Sequence, residues 1–247
     1  GLGSLLRSRV ATLERVFVVP GNHDVDRGRV MRNLSTRNAQ AAITRASDAQ
    51  REHVFRSQIQ DIATGHALLE TIRAYEECAA CFNCQVYLPE RRYWKQALEL
   101  EHDGQLRIHG LTSTLLSGAE GNDDSRQSLY LSPLQTVLNP EENVVNLVLA
   151  HHPPEWFLDH YECEDAINGR AMIHMFGHTH RQRLVRESQY VRFSAGAVNP
   201  ERQEPGWLPG YNLVQVHIVG EGEERQLEVN ATLFQLPTSP DRFRPVL

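Results

Sequence analysis

The chain has 247 residues, 40% hydrophobic and 23% charged, enough for one large core with room for a small inserted lobe. A formal charge of −6 argues against non-specific nucleic-acid binding, and no apolar run approaches the roughly 18 residues a membrane span needs, so the sequence reads as soluble, with no membrane partner. Four cysteines (Cys78, Cys81, Cys84, Cys163) do not make a disulfide framework in a chain this large; they read as reduced thiols and point to a reducing, cytoplasmic compartment. Cys78, Cys81 and Cys84 lie three apart without a glycine knuckle or a fourth nearby ligand, and read as a thiol stripe at a helix end.

In chain order, Leu2, Leu5, Leu6, Val10 and Leu13 form a helical stripe already under way at Gly1, which gives the start a cut appearance. Val16-Phe17-Val18-Val19 predicts a strand buried on both faces, and Pro20-Gly21 then turns the backbone and delivers Asn22, His23 and Asp24 to a rim. From Asp26 to about Cys84, Phe55, Ile59, Ile62, His66, Leu69, Ile72 and Tyr75 recur at three- and four-residue spacing. That spacing predicts a long helix or helical pair whose apolar face packs on a sheet, with a lid or dimer surface as the alternative role; the oligomeric state is left open. His53 and His66 read as ordinary helix residues.

Arg92 to Leu100 and Leu106 to Leu116 predict strands around the turn His102-Asp103-Gly104, and Gly118 to Ser128 a loop. Ser132-Pro133 opens a short helix as cap and first residue. Val144 to Ala150 is a second buried strand, running into His151-His152-Pro153-Pro154, and Trp156 to Arg170 a helix. Ile173 to Phe176 is a third, running into Gly177-His178-Thr179-His180. Tyr190 to Ser194, Tyr211 to Val219 and Gln226 to Phe234 complete the strands, the last two joined through Gly220-Glu221-Gly222, and Pro237 to Leu247 reads as a proline-rich tail.

Three buried strands therefore each release an amide or imidazole ligand at the carboxyl end, the sheet edge where ligands collect. Asn22, His151, His178 and His180 are neutral nitrogen and oxygen donors of the kind that hold first-row divalent metals, and histidines two apart after a strand can face two neighbouring ions. Gly-Asn-His-Asp, His-His-Pro-Pro and Gly-His-Thr-His, in this order and each after a strand, resemble the calcineurin-like metallophosphoesterase superfamily from about Leu2 to Phe234. Gly110-Leu111-Thr112-Ser113 and Ser194-Ala195-Gly196 resemble its cyclic-nucleotide-phosphodiesterase-like branch.

The resemblance implies an α/β fold, a two-layer β sandwich flanked by helices, over residues 1–236 with a helical insertion at about 27–85 and a tail at 237–247. It implies two divalent ions (Mn, Fe or Zn), one held by Asn22, His151 and His178 and the other by His180. A bridging hydroxide would attack phosphorus in line, His23 would protonate the leaving oxygen, and Asp24 would orient His23. The doublet leaves His151 and His152 open as the ligand; His151, nearer the strand end, is preferred, and His152 is assigned to substrate. Arg27 is assigned to phosphate contact, with a salt bridge to Asp26 as the alternative.

The family's early Asp-x-His and Gly-Asp-x-x-Asp, which supply bridging carboxylate, do not occur in this sequence, so the expectation is an N-terminally truncated fold. Two divalent ions ~3.5 Å apart repel by about 19 kcal/mol at an effective dielectric of ~20, so neutral ligands alone hold at most one ion, and weakly. The expected function is metal-dependent hydrolysis of a small phosphoester, first a cyclic-nucleotide-like phosphodiester or else a phosphomonoester, with low activity in this fragment. The alternatives are a degenerate, non-catalytic binding or sensor module and, disfavoured by the acidic balance, a nuclease of the same superfamily.

Overall fold

The computed structural model describes residues 15–197, 208–220, 222–237 and 242–246. The predicted helix at Leu2 to Leu13 lies outside these residues. The chain divides into two compact units, one made of Gly1–Lys95, His109–Val137 and Pro154–Ala166, the other of Gln96–Ile108, Leu138–Pro153 and Ile167–Leu247.

The first unit is mainly helical. In place of one long helix or a pair, the region after Asp26 folds as five: α1 (Arg27–Arg32), α2 (Leu34–Arg45), α3 (Asp48–Gln60), α4 (Ile62–Leu69) and α5 (Arg73–Ala79). Short polar side chains that bond the backbone make the breaks. The Asn33 side chain accepts from Ser35 N and Thr36 N, Asp26 from Arg29 N, and Asp61 from Thr64 N, so each starts a new helix by satisfying donors that have no partner within it. Of the predicted stripe, Phe55, Ile59, Ile72 and Tyr75 are buried, but Ile62 (81% exposed) and His66 face solvent and Leu69 is half-buried, because the break at Asp61 resets the helical phase so that α4 buries Leu68 instead.

Val16 to Val19 departs from the expectation. The segment belongs to no strand and is only half-buried. Side chains take the place of a sheet neighbour here: Tyr75 Oη (3.0 Å) and Trp94 Nε1 (2.8 Å) both donate to the Val18 carbonyl. Trp94 is itself buried, with its ring 6.0 Å from that of Phe17. Partners of this kind are what a half-buried carbonyl requires where no strand among the described residues lies beside it.

The second unit carries nearly all of the residues of the two sheets. One has six strands in the order β1-β2-β3-β4-β6-β5: β1 (Trp94–Glu99), β2 (Gln105–Gly110), β3 (Val144–Ala150), β4 (Ile173–Phe176), β5 (Arg183–Arg186) and β6 (Val191–Ser194). The other has three, β7 (Gly210–Val219), β8 (Gln226–Gln235) and β9 (Arg244–Pro245), in that order. β9 pairs with β8, so part of the predicted tail is sheet. Residues 111–116, predicted to extend β2, are loop, β5 was not foreseen, and the helix of the 156–170 region is confined to α6 (His160–Asn168).

The β1–β2 hairpin turns as predicted, with His102 and Asp103 both left-handed (φ 55° and 57°) and Leu100 N bonded to the Gly104 carbonyl at 2.8 Å. β3 and β4 are parallel, in a register that sets Ala150 opposite Phe176, and β4 and β6 are parallel, setting Phe176 opposite Ser194. Leu147, Val148, Ala150, Ile173, Phe176 and Phe193 form the core beneath these strand ends. Asn146, buried within β3, donates from Nδ2 to the Arg170 carbonyl at 3.2 Å and ties the strand to the turn before β4. Among the described residues no helix is long and apolar enough to cross a membrane.

Candidate metal centre

The register of β3 and β4 builds the centre. Because Ala150 lies opposite Phe176, the next residues, His151 and Gly177, leave the sheet side by side, and Gly177 N donates to the His151 carbonyl at 3.0 Å. A methyl group at Gly177 would come within 3.3 Å of His151 Nδ1, so glycine leaves the imidazole its space. The chain then tightens, with Thr179 N bonded to the Gly177 carbonyl at 2.7 Å, and His178 and His180 adopt left-handed backbone conformations, φ 61° and 52°. Non-glycine residues in that region cost about 1–3 kcal/mol each and collect at functional sites.

His178 Nδ1 lies 3.3 Å from His151 Nε2. His152 completes a group: one ligand nitrogen from each of His151, His152 and His178 lies within 4.8 Å of the other two. The rings do not stack face to face, since the His151 and His152 planes meet at 87°, His151 and His178 at 76°, and His152 and His178 at 51°. His152 is fully buried, while His151 and His178 are half-buried. Three imidazoles with ligand nitrogens this close together, two of them on half-buried residues, are donors of the kind that suit a divalent first-row ion. His180 is half-buried and stands outside this group of three.

The other predicted residues lie in the first unit. Asn22, His23 and Asp24 form a single 3₁₀ turn, with His23 and Asp24 exposed. The Asp24 carboxylate accepts from Gly21 N at 2.8 Å and so closes its own turn. Arg27 is ion-paired with Asp123, not with Asp26, which accepts instead from Arg29 Nε at 3.2 Å.

Two carboxyl groups that sequence reading passed over are displaced from their ordinary values. Burial pushes Glu76 up to about 7, against the Val86 N–H that it accepts at 3.0 Å and the nearby Arg91. Burial likewise pushes Asp159 up to about 6, opposed by Arg51. Their burial follows from tertiary packing and has no signal in local sequence. His152 did have a signal, the doublet itself.

In this mixed α/β fold the histidines gather at the carboxyl ends of a parallel strand pair, the edge of such sheets where ligands are bound. The family profile described as calcineurin-like phosphoesterase matches residues 2–182, and the chain belongs to that family. No curated protein matches. Among solved structures, a provisionally assigned 5'-nucleotidase from Staphylococcus aureus, in complex with alpha-ketoglutarate, is similar at 18% identity and a TM-score of 0.40. That match covers 67% of this chain and 34% of the other, so this chain spans about a third of that protein's length.

Proposed function

We propose that this chain is part of a metal-dependent phosphoesterase acting on a small phosphoester, a cyclic-nucleotide-like phosphodiester first and a phosphomonoester second. The observation that carries the reading is the set of histidine nitrogens within 4.8 Å of one another at the ends of β3 and β4, in a chain of this family. A divalent ion, when bound, supplies Lewis-acid neutralisation of the charge that develops on the phosphoryl oxygens.

The chain's own residues do the rest. His151 and His178 hold the ion, and their neutral rings leave its charge undiminished for the substrate. The resemblance to the family assigns Asn22 the part of an amide-oxygen ligand and His180 that of a ligand to a second ion. His23, exposed on its turn, gives a proton to the leaving oxygen, and the turn closed by Asp24 fixes where that ring starts from. Arg27 meets phosphate by exchanging its exposed ion pair with Asp123, a pair worth about 0–1 kcal/mol, so the exchange is cheap.

The test is hydrolysis of bis(p-nitrophenyl) phosphate and p-nitrophenyl phosphate with added Mn²⁺, Zn²⁺ or Fe²⁺. Slow hydrolysis that a chelator stops, and that His178→Ala removes, is expected. Equal rates in His178→Ala and the parent would refute it. A chain that binds metal but hydrolyses neither ester would be a binding module instead. Equal rates in His23→Ala and the parent would take His23 out of the mechanism.

A further inference from the structure

We propose that Arg91, Arg92 and Lys95 form a binding site for a small dianionic oxyanion, inorganic phosphate or the phosphoryl end of a phosphomonoester. The site lies in the first unit and contains none of the residues assigned above to the metal centre or its chemistry, so it stands or falls without that reading.

Arg92 carries the inference. Its Nε is buried and has no hydrogen-bond partner among the described residues. A guanidinium stays charged at every physiological pH, so a buried N–H on it without an acceptor is a standing cost that an anion removes. Arg92 lines a cavity of about 320 Å³ together with Glu90, Arg91, Tyr93 and Lys95, a volume at the small end of the range for ligand pockets. Three cations and one carboxylate line it, an excess of two positive charges. Glu76, near Arg91, is pushed up by burial to about 7 and so offsets Arg91 only in part at neutral pH.

The backbone holds these residues in place before any ligand arrives. Arg91 N donates to the Tyr87 carbonyl at 2.7 Å, Tyr87 N to the Arg91 carbonyl at 2.9 Å, and Arg91 Nη2 to the Asn83 carbonyl at 2.8 Å. Trp94, between Tyr93 and Lys95, is buried and tied to the Val18 carbonyl. An excess of two charges suits a phosphate dianion, whereas a carboxylate would cancel half of it. The guanidinium fork matches the spacing of phosphoryl oxygens, and Tyr93 brings a hydroxyl that can donate as well. Glu90 is exposed, so water weakens its repulsion of the anion.

The experiment uses the full chain, freed of metal by a chelator and desalted so that phosphate on a bound metal cannot contribute. Its Tm is followed against inorganic phosphate and phenyl phosphate, with chloride and acetate at matched ionic strength as controls. Phosphate at about ten times its Kd should raise Tm by about 3–6 °C, and chloride and acetate should not. A lower Kd for phenyl phosphate than for phosphate identifies the monoester as the ligand, and the reverse identifies the free ion. Arg92→Met keeps most of the stem and removes the unpartnered N–H. It should leave Tm without phosphate unchanged or higher and abolish the phosphate-dependent rise. A merely structural Arg92 would instead lower Tm when replaced, with or without phosphate. Lys95→Gln, at an exposed position, should weaken phosphate binding by about tenfold, read by titration calorimetry. No phosphate-dependent rise in the parent, an equal rise with acetate, or the same rise in Arg92→Met would overturn the proposal. Hydrolysis at the metal centre is read separately, and a chain that hydrolyses neither ester leaves this test intact.

Discussion

Replacing Gly110 with alanine tests how the Val16–Val19 segment is held. The added methyl would lie 1.9 Å from Trp94 Cε2 and 2.4 Å from its Nε1. Carbon atoms rest at about 3.5 Å, so the indole must move by roughly 1.6 Å. It has little freedom, being 1% exposed, with Phe17 beside it and Nε1 only 2.8 Å from the Val18 carbonyl. A shift of that size takes the donor out of range. Overpacking costs about 1–3 kcal/mol and the lost hydrogen bond about 0.5–1.5, so Gly110→Ala should destabilise by about 2–4 kcal/mol. Urea unfolding followed by tryptophan fluorescence should show the midpoint lowered by roughly 1 M, for a slope of about 3 kcal/mol per molar. In a Trp94→Leu background the same change should cost under about 1 kcal/mol, because the clashing ring is gone. A midpoint that moves by less than about 0.2 M in the parent, or equally in both backgrounds, would refute the argument.

Stability should fall as pH rises from 5 to 8. Glu76 and Asp159 have folded values raised to about 7 and about 6, so the stability they contribute is full below the unfolded carboxyl value and is lost as pH climbs through those values. Glu76→Gln should flatten the fall in Tm between pH 6 and 8, and an unaltered slope would exclude Glu76 as its source. Asn33→Ala removes the acceptor for Ser35 N and Thr36 N at the start of α2, and should cost about 1 kcal/mol, seen as a Tm lower by roughly 2–4 °C.

Elements set by a purely local rule were legible in the sequence. β3 and β4 occupy the predicted residues because an apolar run ends against a Pro- or Gly-containing turn. The hairpin after β1 followed from His102-Asp103-Gly104. Elements that depend on what lies alongside were less legible. Val16-Phe17-Val18-Val19 has every local mark of a strand, but a strand is a pairing, and here Tyr75 and Trp94 meet the Val18 carbonyl instead. The breaks at Asn33 and Asp61 were hidden because asparagine and aspartate read as ordinary solvent-facing residues until their side chains are seen to bond the backbone. At the centre, sequence supplied the histidines and the order of their loops. It did not supply the gathering of His151, His152 and His178 to within 4.8 Å of one another, which depends on the bend after Ala150 and the parallel register beside it.

The left-handed backbone at His178 and His180 has a consequence for how such a chain could be improved. Glycine or asparagine at either position would relieve the turn and favour the folded state, yet would remove a donor nitrogen. On the function proposed above, thermal robustness and ion capture therefore pull these two residues in opposite directions. Screening variants for heat resistance alone would trade away the imidazoles first.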